Sequence, residues 1–154
     1  MGIVSVREQL KRFNKEIDII EFKISTATVI EAANALNTEP ARIAKTLAFK
    51  VNDKAVLIVM TGDARIDNGK YKAYFSTKAK MLTPDEVREF TGHEVGGVCP
   101  FGLKNNLDIY LDDSLKRFVT VFPACGNANS AIEISISDLE NITKPVAWVD
   151  VTRI

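Results

Sequence analysis

The segment Gly96-Gly97-Val98-Cys99-Pro100-Phe101-Gly102 places three glycines and a proline within seven residues. Glycine lets a backbone N–H come close to a ligand and accepts positive φ. Proline fixes its own φ and drives the residue before it toward extended geometry. Such a loop can aim amide donors from Gly97 to Gly102 at a carbonyl oxygen or an anion, as in oxyanion holes and backbone anion sites. The same composition also makes a tight structural turn between two strands, and that alternative stays open. Cys99 lies inside the loop, and His93, the only histidine, lies six residues upstream. A thiol nucleophile needs a base or a positive neighbour to become thiolate, so a Cys/His hydrolase is one possible chemistry.

Other residues could carry charge or contact RNA. Lys45 is expected where a short helix gives way to a strand, a place from which a long cation can project into a cleft, although most lysines are solvated surface charges. Its ordinary pKa of about 10.4 makes it a poor base at neutral pH unless burial lowers it. Lys70, Lys72, Lys78 and Lys80 are interleaved with Tyr71 and Tyr74. Lysine can bind phosphate while tyrosine stacks a base; a plain solvated face is the alternative. Arg7, Lys11 and Arg12 form a second basic group. No paired carboxylates stand out. HExxH, P-loop, GxSxG and dinucleotide patterns are absent from the sequence.

Three segments in order carry a resemblance: Ala44-Lys45-Thr46-Leu47-Ala48-Phe49; Gly96-x-x-x-Pro100; and Cys125-Gly126 followed by Ser130-Ala131-Ile132-Glu133-Ile134-Ser135. Together they resemble the YbaK/prolyl-tRNA synthetase-associated domain family over about residues 26–139. The resemblance implies a free-standing trans-editing deacylase that hydrolyses mischarged aminoacyl-tRNA. It implies no metal and no organic cofactor, with an aminoacyl-tRNA synthetase as a candidate partner. The lysine of the Lys-Thr-Leu motif would sit in the editing pocket, which makes Lys45 an anchor for the substrate. With it would act Gly97 and Gly102 as catalytic amide donors. Thr26, Thr46, Phe49, Gly96, Val98, Cys99, Pro100, Phe101, Gly126, Ser130 and Ala131 would contact substrate. One branch of the family, acting on cysteinyl-tRNA(Pro), carries serine and aspartate near positions 124 and 131. This chain has Ala124 and Ala131, which leaves alanine or another small residue as the amino acid. A non-catalytic module that binds aminoacyl-tRNA or a synthetase is the competing reading.

The chain has 154 residues, 46% hydrophobic and 26% charged. That composition suits one globular domain, residues 1–154, with a real core. Twenty basic and twenty acidic residues cancel, which argues against a long track of nucleic acid but not against a local grip on one RNA end. Cys99 and Cys125 are too few for a disulfide scaffold, and no Cys/His spacing suggests zinc. No apolar run is long enough to span a bilayer, and a reducing cytoplasm is the expected compartment.

The elements that must position these residues read as a mixed α/β (α+β) domain with short helices. Val6–Phe13 has helical spacing, with Ser5 and Glu8 as a capping box. Residues 17–24 suggest a strand, 28–36 a helix and 38–40 a helix start. Thr46–Val51 and Ala55–Met60 read as a hairpin across Asn52-Asp53. Asp67–Tyr74 suggests a helix despite Gly69. Thr83-Pro84-Asp85-Glu86 opens another, ended by Thr91-Gly92. Strands follow at 107–111, 118–122 and 131–136, then a helix starting at Ser137-Asp138, then a strand at 146–149. The resemblance adds a curved, mostly antiparallel sheet flanked by helices.

Overall fold

The computed structural model describes residues 2–154. Its backbone is an antiparallel hairpin, β2 (Ile43–Val51) with β3 (Lys54–Thr61), whose eight Cα pairs run from Ala44↔Thr61 to Val51↔Lys54. Asn52 and Asp53 join them with φ of 48° and 69°. Positive φ at both central residues matches the right-handed twist of the flanking strands. The hairpin sits mid-sheet in the order β8-β6-β2-β3-β5-β9, with β5 Asp108–Asp112, β6 Thr120–Pro123, β8 Ile134–Ser135 and β9 Ala147–Val149. Two small antiparallel pairs complete the strands: β1 (Ile20–Glu21) with β7 (Ser130–Ala131), and β4 (Arg65–Ile66) with β10 (Thr152–Arg153). The fold is thus mixed α/β. Antiparallel pairing leads in registered residues, while β2–β6, β3–β5 and β5–β9 are parallel.

Alternation along β2 divides the core, because successive side chains of a strand face opposite ways. Ala44 and Ala48 join Leu57, Val59, Val87, Phe101, Ile132 and Leu139 on one face. Phe49 joins Ile58, Met60, Tyr71 and Phe75 on the other. That second face is covered by α3 (Asn68–Phe75), which buries Tyr71 and Phe75. The first face is covered by α1 (Ile3–Lys11), α4 (Pro84–Thr91) and α5 (Ile136–Thr143), through Val6, Leu10, Val87, Leu139 and Ile142. A fifth helix, α2 (Val29–Leu36), seals one end with Ala32 and Ala33.

Several boundaries differ from expectation. Helix α1 begins at Ile3 with Gly2 as its cap, so Ser5 lies inside it. Of residues 17–24 only Ile20 and Glu21 pair as strand; Glu16–Asp18 is a 3-10 turn, and Ile17 stays 83% exposed. The run 131–136 is split: Ile136 already starts α5, and Ser135, not Ser137, caps it by accepting from the Asp138 amide. Lys45 is the third residue of β2 and not a helix–strand junction. The caps at Thr28 and Thr83 form as reciprocal capping boxes.

Candidate active site

The glycine segment connects α4 to β5 and forms one wall of a cleft of about 370 Å³. The opposite wall is β2 from Ile43 to Ala48. Its floor and ends come from Val29, Ala32, Leu82, Val87 and Phe122. Met81 and Leu82 reach it because residues 80–82 run along β2: the Lys50 amide donates to Lys80 O at 2.8 Å and the Leu82 amide to Ala48 O at 3.0 Å.

Thr26 and Ser130 arrive together for a local reason. The strand pair β1–β7 is extended by the Phe22 amide donating to Asn129 O at 2.8 Å and the Thr26 amide to Ala128 O at 2.6 Å. Ala124 and Ala131 face each other across an isolated bridge and also line the cleft. The geometry therefore brings Thr26, Thr46, Gly96, Val98, Ser130 and Ala131 onto one cavity, with Lys45 on its border, its side chain leaving β2 on the face opposite Thr46.

Thr26 Oγ1, Thr46 Oγ1 and Ser130 Oγ are all buried there, and none has a hydrogen-bond partner among the described residues. A buried hydroxyl without a partner forfeits its hydration at a cost of about 1–3 kcal/mol. Three such groups on one mainly apolar cavity are what a polar ligand would satisfy.

Lys45 is half-buried. Its Nζ donates to Ala64 O at 2.6 Å and Gly62 O at 3.4 Å, both on the turn after β3. Burial pulls its pKa below the ordinary lysine value; the Asp63 carboxylate opposes that and Arg65 adds to it. An ammonium has three N–H groups, so one is left beyond these two carbonyls.

The remaining expected contacts lie elsewhere, each for a packing reason. Phe49 faces α3, with its ring 5.2 Å from Tyr71. Cys99, Pro100 and Phe101 are buried, and none of them lines the cleft. The amides of Gly97 and Gly102, expected to face substrate, are committed to Glu94 O at 2.9 Å and Gln9 Oε1 at 2.6 Å. Gly97 packs so closely that a Cβ would lie 2.5 Å from the Asn127 backbone; at Gly102 it would lie 2.5 Å from Ser5. Gly126 likewise abuts Gly2. These glycines dock the loops backbone to backbone. Gly96 and Val98 do line the cleft, and among the described residues their amides donate to no protein group.

The Cys99–His93 pair is not arranged for nucleophilic attack. His93 Nε2 lies 2.7 Å from Phe101 O, and a carbonyl only accepts, so Nε2 carries the hydrogen. The sulfur lies 3.6 Å from that same nitrogen, which therefore cannot take the thiol proton. Full burial pushes the Cys99 thiol up to about 12, against thiolate formation.

In the basic stretch, Tyr71 is fully buried and unavailable to stack a base. Lys70 Nζ is held by Asp150 at 3.0 Å and Thr152 O at 2.9 Å. Lys72, Lys78 and Lys80 are exposed, and the last two lead directly into Met81 of the cleft. No cluster of three His, Cys, Asp or Glu side chains suited to a metal ion occurs among the described residues. Among the described residues no helix is long and apolar enough to cross a membrane.

Residues that sequence reading missed are the apolar ones, Val29, Ala32, Leu82 and Val87, and the Asp63–Arg117 pair beside Lys45. Val87 was within reach: α4's cap and its helical period place Val87 on the buried face.

Comparison with known proteins follows the same outline. The model for the Aminoacyl-tRNA editing domain matches residues 24–142. A protein named Uncharacterized protein YwhH from Bacillus subtilis (strain 168) is 50% identical over 154 residues, covering 99% of this chain and 98% of that protein. A proline–tRNA ligase from Geobacillus sp. (strain WCH70) is 32% identical over 93 residues, covering 60% of this chain and 16% of the ligase. A crystal structure provisionally assigned as a trans-editing enzyme for prolyl tRNA synthetase superimposes with a TM-score of 0.88 at 30% identity, covering 99% and 97% of the two chains.

Proposed function

This chain belongs to the aminoacyl-tRNA editing domain family, and from that membership we propose that it hydrolyses the ester bond of mischarged aminoacyl-tRNA carrying a small amino acid. It would do so as one free-standing unit spanning residues 1–154, with tRNA(Pro) the first tRNA to test. The observation that carries this reading is the trio of unpartnered hydroxyls of Thr26, Thr46 and Ser130 on one apolar cleft. An aminoacyl ester with its ribose hydroxyl, carbonyl and ammonium supplies the missing partners, and a cleft of about 370 Å³ suits a small side chain.

The ester is already activated, so positioning and oxyanion stabilisation supply most of what the reaction needs. Water oxygen attacks the acyl carbon and loses a proton. The tetrahedral oxyanion collapses, the bond to the ribose oxygen breaks, and that oxygen takes a proton. Free amino acid and tRNA with a free terminal hydroxyl leave. The amides of Gly96 and Val98 are the oxyanion donors in this reading, in place of Gly97 and Gly102. Lys45 anchors the ribose end, where an oxygen accepts its remaining N–H. The side chain of the amino acid meets Ala124 and Ala131, whose methyls favour an apolar group. A pocket discriminates one methylene by only about 1–3 kcal/mol, which is why a second sieve is useful at all. Lys72, Lys78 and Lys80 would meet the RNA backbone.

The test is a panel of tRNAs mischarged with small amino acids, incubated with purified protein and with Lys45→Ala and Cys99→Ser variants. We expect hydrolysis by the native chain and by Cys99→Ser, and a loss of about tenfold or more for Lys45→Ala. No acceleration on any member of the panel would remove the enzyme from consideration. Retained tRNA binding in that case would favour the non-catalytic module, a reading that the committed amides of Gly97 and Gly102 support.

A further inference from the structure

We propose that Arg117 and Asp63, which touch neither cleft nor substrate, act as a clamp that fixes the place of the Lys45 ammonium and so tune the reaction. This rests on the reading of Lys45 as the substrate's anchor. The two carbonyls that hold Lys45 Nζ, from Gly62 and Ala64, flank Asp63 in the chain. Asp63 is in turn gripped by both terminal nitrogens of Arg117: Nη2 donates to Oδ1 at 2.6 Å and Nη1 to Oδ2 at 3.1 Å. The Thr61 hydroxyl donates to Asp63 Oδ1 at 2.8 Å and accepts from Arg117 Nη2 at 2.8 Å.

Arg117 closes the 3-10 helix Asp113–Arg117, which is itself anchored. Leu115 is in the core, and Asp112 caps the helix by accepting from the Ser114 amide at 2.9 Å. The Thr61 amide donates to Ser114 Oγ at 3.2 Å. Turn and helix are therefore tied at both ends, and the turn supplies both carbonyls that hold Lys45 Nζ.

The form of this network argues for geometry over stability. Arg117 and Asp63 side chains remain 39% and 29% exposed, and exposed ion pairs add little to folding. A bidentate guanidinium–carboxylate pair does fix orientation, since the planar fork admits one approach. The turn has little other freedom, because a Cβ at Gly62 would lie 2.2 Å from Pro40 O. The charged groups that act on Lys45 are Asp63 and Arg65, with Arg117 acting through Asp63. Without Arg117 the Asp63 carboxylate is free to draw the ammonium off its carbonyls. Without the Asp63 charge, the ammonium loses the charged neighbour that favours it.

Two measurements on the full chain test this. One is kcat/KM for the mischarged tRNA that the panel selects, for Arg117→Met, Arg117→Lys and Asp63→Asn, each also in a Lys45→Ala background. The other is the pH titration of the Lys45 Cε resonance by NMR, assigned by its loss in Lys45→Ala, which needs no turnover. We expect Arg117→Met to lose about tenfold to a hundredfold in kcat/KM, a cost in line with a misplaced reacting group. Arg117→Lys should recover part of it. In the Lys45→Ala background Arg117→Met should cost nothing further, because the two then act on one step. The Lys45 titration should move up in Arg117→Met and down in Asp63→Asn. Equal losses in both backgrounds, or a Lys45 titration that neither variant moves, would overturn the clamp. If the native chain hydrolyses no member of the panel, the functional reading fails, and the titration still decides whether the clamp exists.

Discussion

Thr46 shows how function opposes stability in a single side chain. Strand alternation puts it on the cleft face between Ala44 and Ala48, where its hydroxyl is buried and unpartnered. Thr46→Val keeps the shape and removes the desolvated oxygen. We expect this variant to unfold at slightly higher denaturant concentration than the native chain, by about 1 kcal/mol. We also expect it to lose roughly threefold to tenfold in kcat/KM, the worth of one hydrogen bond to substrate. Urea unfolding and single-turnover hydrolysis check the pair of signs. A variant that lost stability as well as activity would mean that the hydroxyl has an internal partner. Cys99 teaches the converse at the same scale. Its type and its nearness to His93 suggest a nucleophile, yet the Phe101 carbonyl takes the hydrogen of the nitrogen that would have to act as base.

At the scale of elements, the legible features are those that local chemistry decides. The Asn52-Asp53 turn, the Thr28 and Thr83 caps and the Gly92 stop, with φ of 79°, all form as the residue types require. Positions fixed by partners far away in sequence are not legible in the same way. Ile134-Ser135 leaves off being strand where Ser135 caps α5, and residues 17–24 find only two strand partners, at Ser130 and Ala131. The glycine loop belongs to both classes. Its composition announces an exposed backbone, but α1 packs on Gly102 and the Asn127 backbone packs on Gly97. Gly102 also holds φ of +58°. We therefore expect Gly102→Ala to destabilise the fold by about 1–3 kcal/mol through strain alone, and more through the clash with Ser5. Chemical denaturation measures it. An unchanged midpoint would show that the loop is free of α1.

The whole molecule carries no net charge, so affinity for RNA cannot come from a general positive field. It must come from a few local cations. Several basic side chains are internally paired: Lys50 with Glu86, Lys70 with Asp150, Arg42 with Glu133, Arg117 with Asp63. Lys72, Lys78 and Lys80 have no ion pair among the described residues. We expect a shallow dependence of tRNA affinity on salt. Replacing those three lysines with alanine should flatten it further, by somewhat under one unit of log–log slope for each phosphate no longer neutralised. Filter binding across a salt series reads this directly; an unchanged slope would place the RNA on another face.

Residue types and their order suffice for the family, the mixed α/β class and a minority of the cleft lining: Thr26, Lys45, Thr46, Gly96, Val98, Ser130 and Ala131. These lie in short segments whose residue types are constrained where they stand. Three things emerge only once the chain is folded: which loop amides are free, which face of β2 meets the cavity, and that Asp63 and Arg117 stand behind Lys45. Each of these is a pairing between residues tens of positions apart. A hydrogen-bond donor is spent or available according to its partner, and no property of the donor's own neighbourhood in sequence names that partner.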